Sequence, residues 1–196
     1  AVGRRSPFDT MFDGFWSLVN EAGITVVVHA GDSGMSSNGY AVDGFAASFS
    51  GGFKPSIKSF AIERAIFEYL ISLVFESHLL RFPNLRIASI ENGAEFLPEL
   101  FKKVRSTSNK MPGYWADDPV EVFKEHVWIN PFWEDDVHEV IDCMGADRVV
   151  FGSDWPHIEA LPEPRQYQLE LKDLDPADQR LILNDNAVGL LQRRPT

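Results

Sequence analysis

Four short apolar runs, separated by longer stretches of helical periodicity, set the strongest limit on what this chain can become. They are residues 24–29 (ITVVVH), 85–90 (LRIASI), 127–130 (VWIN) and 148–151 (RVVF). Continuous β-branched runs such as the first suit strands buried on both faces. Parallel pairing demands a crossover of a dozen or more residues, and the intervening segments supply it. The expected fold class is therefore α/β, four consecutive βα units in a single domain over residues 1–196.

The connecting segments carry matching signals. A first helix is expected over residues 8–22, closed by Gly23 at its C-terminal cap. The stretch 57–81 places Phe60, Ile66, Phe67, Leu70, Ile71 and Val74 at helical spacing, a stripe that packs on a sheet. Pro83-Asn84 turns the chain into the second run, and a helix over 94–105 returns from it. Asp118-Pro119 joins a capping side chain to a proline at the first helical position, opening PVEVFKEH. Another helix is expected over 134–144, and Asp175-Pro176 opens the last ones. The Gly- and Ser-rich segment 31–55 is long for a loop in a compact domain, which marks it as functional or disordered. Phe12, Phe15, Trp16, Phe67 and Trp128 are expected in the core, whereas Trp115, Trp133 and Trp155 stand at loop positions suited to lining a pocket.

Charge removes several classes of partner. The 29 acidic against 18 basic residues give a formal charge of -11 without a basic run, so nucleic acid and anionic lipid are not expected partners. The longest apolar run, ITVVVHA, is far short of the roughly 20 residues that span a bilayer. A single cysteine, Cys143, has no internal disulfide partner and fits a reducing, cytoplasmic setting. The chain opens on Ala1-Val2-Gly3 and not on methionine, so a preceding segment is expected.

In parallel α/β folds ligands gather at the carboxyl ends of the strands, which makes the first polar residue after each run a candidate. These are His29, Glu91 with Asn92, Asn130 and Asp154. A neutral imidazole converging with carboxylates is a ligand set for a divalent metal, which activates water and polarises carbonyls. His29 is equally a plain hydrogen-bonding residue, Asp154 a turn residue before Trp155-Pro156, and Glu91 and Asn92 partners of the next helix N-terminus. His157, just beyond Asp154, is placed to meet substrate or to orient that carboxylate. Asp32 and Ser33 follow His29 and would fix its ring or simply form the turn. His78, His126 and His138 are expected away from the chemistry, His78 and His138 on outer faces. Periodicity leaves two architectures open, an open doubly wound sheet and part of a closed barrel; the lack of G-x-G-x-x-G or a P-loop weakens a nucleotide-binding sheet.

The segments VVVHAGDSG, RFPNLRIASIENGAEF, VVFGSDWPH and LILNDNAVGLL together resemble the second half of the amidohydrolase family that contains aminocarboxymuconate-semialdehyde decarboxylase and related metal-dependent hydrolases. The resemblance implies a TIM barrel of which this chain supplies the C-terminal four βα units, since a whole barrel takes about 250 residues. It implies His29 and Asp154 as metal ligands, with zinc first and manganese or iron as alternatives. The family's first-strand His-x-His pair is not in this sequence, and Glu91 stands where the family usually has a histidine. Glu91 is therefore a candidate acid/base or additional ligand, Asp154 the acceptor of water's proton, and His157, Trp155 and Asn92 substrate contacts. The expected function is metal-assisted hydrolysis, or decarboxylation, of a small organic acid, amide or lactone. The competing expectation is a non-catalytic half barrel whose open edges make it a homo-oligomer or the partner of a separate N-terminal half.

Overall fold

The computed structural model describes residues 5–31, 61–157 and 160–194. Asp32, Ser33, Phe60 and most of the Gly/Ser-rich segment lie outside them. Helix α1 (Asp13–Ala22) follows a 3-10 turn, Thr10–Phe12, that the Asp9 side chain caps by accepting from the Met11 N–H. Gly23 ends α1 at φ +57°, the left-handed cap its position suggested. Trp16 and Val19 point into the core, but Phe15 is 60% exposed. Neighbouring helical residues diverge by about 100°, so Phe15 leaves the core face that Trp16 occupies.

Strands β1 (Thr25–His29), β2 (Arg86–Ile90) and β3 (Val127–Ile129) form a parallel sheet in the order β1-β2-β3. The expected fourth strand is reduced to one bridge between Ile129 and Val149, with the Val150 N–H donating to the Ile129 carbonyl at 2.9 Å. The cause is a change of partner. The Phe151 N–H donates instead to Ile182 in a π-helical turn, Leu181–Asp185, while Arg148 is drawn into a 3-10 turn. β1 also departs from expectation: Val26 and Val28 pack against the core, but Val27 on the other face is 59% exposed.

Between the strands run α2 (Ala61–Phe75) and α3 (His78–Arg81), then α4 (Leu97–Lys110) and α5 (Pro119–His126). α6 (Val137–Met144), α7 (Tyr167–Glu170), α8 (Pro176–Arg180) and α9 (Asn186–Leu191) complete the described elements. Asp118 caps α5 through the Val120 N–H as read from its dipeptide. Ser77 at φ +51° separates α2 from α3 and divides the long amphipathic stretch. His78, expected on an outer face, is fully buried among the rings of Phe8, Trp16 and Phe82. The aromatic cover comes from the N-terminal segment, folded back over α3.

The main core lies between the helices and one sheet face, where Leu70, Leu73, Ile87, Leu97, Leu100, Phe123 and Ile129 are buried. Each such side chain contributes about 1.5–3 kcal/mol of transfer free energy. The opposite face carries a smaller cluster of Ala88, Trp128 and Val150. At the amino ends of the strands Arg86 donates to the carbonyls of Gly189, Gly23 and Gln192 at 2.8, 2.6 and 2.6 Å. Thr25 adds a bond to the Leu190 carbonyl. The C-terminal segment is thereby tied beneath the sheet, leaving the carboxyl ends for the site. Among the described residues no helix is long and apolar enough to cross a membrane.

Candidate active site

Register puts the candidate residues in one row. His29 pairs with Ile90. Ser89 pairs with Ile129, so Asn130 follows one step beyond β3 alongside Ile90. The row opens into a cleft of about 720 Å³ whose walls include His29, Glu91, Asn130, Asp154 and His157.

Two pairs face each other across this rim. His29 Nε2 lies 2.8 Å from Glu91 Oε2, and His157 Nδ1 lies 3.1 Å from Asp154 Oδ1. Ligand atoms of Glu91, Asp154 and His157 all fall within 4.8 Å of one another. His29 Nδ1 is 3.1 Å from the Ala30 carbonyl, so both nitrogens of the ring face acceptors. A neutral imidazole donates from only one nitrogen. In that form only one of the two contacts is a hydrogen bond.

The backbone under two of these residues is strained. Glu91 has φ +59° and Asp154 φ +53°, left-handed values that cost a side-chain-bearing residue about 1–2 kcal/mol. Strain of this kind gathers at functional sites, where surrounding bonds enforce it. Asn130 supplies part of that enforcement: its Oδ1 accepts from the Glu91 N–H at 3.1 Å, and its Nδ2 donates to the Pro131 and Val150 carbonyls. Gly152 packs closely beside it: a Cβ there would stand 3.0 Å from Asn130 Nδ2 and 3.1 Å from its Oδ1, so a larger residue would push on that side chain. Asn92 is a similar brace, its Nδ2 reaching the Val28 and Ile90 carbonyls at 2.9 Å each. That leaves Asn92 its side-chain oxygen for any ligand.

Trp155, expected at the substrate, is 65% exposed and is not among the residues lining the cleft, whereas Trp133 is. His126 bonds the Leu85 carbonyl at the far end of β2, and His138 is exposed on α6, both away from the cleft. Several cleft residues were not singled out from the sequence: Glu63, Glu95, Asp135 and Tyr167. Burial raises the Asp135 carboxyl to about 6, helped by the charges of Glu95 and Glu134 and opposed by N–H bonds from Phe132 and Ala94. Burial, and then the charge of Glu95, also raises Glu63. Asp135 carried a weak signal, a carboxylate five residues beyond Asn130, but the helix expected over 134–144 covered it; the structure starts that helix at Val137 and leaves Asp135 in the loop. Tyr167 had none.

The sequence matches the amidohydrolase family model over residues 1–193, and the chain belongs to that family. An amidohydrolase from Mycobacterium avium subsp. paratuberculosis K-10 is 37% identical, with TM-score 0.83, over 96% of this chain and 47% of its own. This chain thus spans about half the length of that relative. The fold also matches a dihydroxybenzoic acid decarboxylase from Polaromonas sp. JS666, solved with bound manganese, at 18% identity and TM-score 0.68 over 94% of this chain and 55% of that one. The 2,6-dihydroxybenzoate decarboxylase from Rhizobium is similar at 18% identity and TM-score 0.70, over 97% and 58% of the two chains. No curated protein matches the chain.

Proposed function

We propose that the chain carries the cleft of a metal-dependent hydrolase acting on a small organic acid, amide or lactone, with decarboxylation as the alternative outcome at the same centre. The observation that carries this reading is the convergence of Glu91, Asp154 and His157, whose ligand atoms all lie within 4.8 Å of one another, with His29 paired to Glu91 and with Glu91 and Asp154 held in strained backbone. The residues fit a divalent ion: ligand atoms bonded at about 2.1 Å stand about 3–4 Å apart, and those of Glu91, Asp154 and His157 all lie within 4.8 Å of one another. His29 and Asp154 would hold the ion, with Glu91 and His157 as further donors, and zinc is the first choice before manganese or iron. A bound ion would supply Lewis-acid activation of water and of the scissile group. Asp154 accepts the proton of the attacking water, and His157, 3.1 Å away, orients that carboxylate.

We further propose that the four units correspond to strands five to eight of a barrel, which the coverage of about half the mycobacterial chain supports. A second reading, an assembly module, is favoured by β1. This strand pairs on one side only among the described residues and exposes Val27, so a second copy or a separate N-terminal half would have an edge to extend. Zinc titration with hydrolysis and decarboxylation assays, on wild type, His29→Ala and Asp154→Ala, separates the readings. The enzyme reading expects metal affinity to fall by roughly tenfold or more in either variant, and activity with it. Unchanged values in both would refute it, while self-association without metal binding would favour the module.

A further inference from the structure

Several residues that line the cleft are not used by the metal reading. The Tyr167 ring packs on Phe151 with centroids 4.9 Å apart, and the residue is only 4% exposed. Its hydroxyl is buried and has no hydrogen-bond partner among the described residues. Asp135 lies close enough for its charge, after burial, to help raise the Tyr167 hydroxyl. Asp135 Oδ2 accepts the Phe132 N–H at 2.7 Å, and Glu63 and Glu95 line the same cleft.

We infer that Asp135 and the Tyr167 hydroxyl, flanked by Glu63 and Glu95, form a recognition subsite for a protonated amino group on the substrate. This deepens the proposed function and rests on the cleft being a substrate site. No lysine or arginine lines the cleft among the described residues, so its carboxylates have no resident cation there. An ammonium group brings N–H donors to a partly buried carboxylate, where charge-assisted bonds are strong. The Tyr167 oxygen accepts one of those donors, which removes the cost of a buried polar group without a partner. Phe132 and Trp133 add aromatic walls that attract a cation and do nothing for an anion. A carboxylate ligand beside Asp135 would meet three acidic side chains, Glu63, Glu95 and Asp135.

The simpler account makes Asp135 a loop brace only, and the two accounts differ in ligand preference. Metal-free protein is titrated at neutral pH with benzylamine and with benzoate, matched in size and opposite in charge, by calorimetry or NMR. The subsite predicts that benzylamine binds roughly tenfold tighter than benzoate, and that Asp135→Asn and Tyr167→Phe each weaken the amine by roughly tenfold. Tyr167→Phe keeps the ring on Phe151, so it remains a test if Asp135→Asn fails to fold. Equal affinity for the two probes, equal amine affinity in Tyr167→Phe, or no saturation by about 20 mM, the weak limit for a ligand of this size, overturns the subsite. Zinc titration of the same samples reads the metal centre separately. Lost amine preference with intact zinc binding defeats the subsite alone, and the reverse defeats the metal reading alone.

Discussion

His78 makes the fold sensitive to acid in a calculable way. The ring is fully buried, with Phe8, Trp16 and Phe82 at centroid distances of 4.6, 4.7 and 4.9 Å. Its Nδ1 lies 3.1 Å from Arg81 Nη2, which can only donate, so Nδ1 accepts and the proton sits on Nε2, where it finds no partner. Burial first, then the Arg81 charge, against a smaller opposite effect of Asp13, lowers His78 to about 4. The unfolded chain therefore binds this proton near pH 6.5 and the folded chain only near pH 4, so stability is complete above pH 6.5 and falls as the pH drops between the two values. At pH 5 the loss is about 2 kcal/mol, approaching about 3 kcal/mol below pH 4. Urea unfolding at pH 7.5 and 5.0 measures it: with an m-value of about 2 kcal/mol per molar, the wild-type midpoint should fall by about 1 M more than that of His78→Phe. Equal shifts in the two proteins would refute the assignment.

Glu91→Gly should relax the left-handed backbone and raise Tm by about 2–4 °C while weakening zinc by roughly tenfold or more, read by calorimetry and metal titration. The lost His29 ion pair is too exposed to offset that gain, since surface pairs contribute about 0–1 kcal/mol. Asn130→Ala should lower stability by about 2–3 kcal/mol and zinc affinity by roughly tenfold, because it frees the Glu91 N–H and strips donors from two carbonyls. Chemical denaturation and metal titration check the two effects. Arg86→Met should cost about 1–2 kcal/mol and about 5 °C in Tm, as the Gln192 carbonyl loses its donor while those of Gly23 and Gly189 keep only the Arg194 and Gln192 N–H groups.

The strands that could be read from the sequence were those whose side chains carry the signal. β1, β2 and β3 are short apolar runs, and Gly23 and Asp118 mark helix ends by local chemistry. What escaped depends on distant partners. Residues 148–151 have the same composition as a strand, yet the Phe151 N–H is taken by Ile182, 31 residues on. His78 looks like a surface residue until Phe8 and Trp16 fold over it. The site divides the same way: strand-end position alone brought His29, Glu91, Asn130 and Asp154 to the cleft, whereas Tyr167 arrives on a four-residue helix with no chemical pattern of its own.

Anomalous diffraction at the zinc edge from zinc-soaked crystals tests the metal centre most directly. The expected result is one peak at about 2.0–2.2 Å from both His29 Nε2 and a carboxylate oxygen of Asp154, with Glu91 or His157 completing the contacts. A fully soaked crystal with no peak at these residues, or with zinc bound only elsewhere, would contradict it.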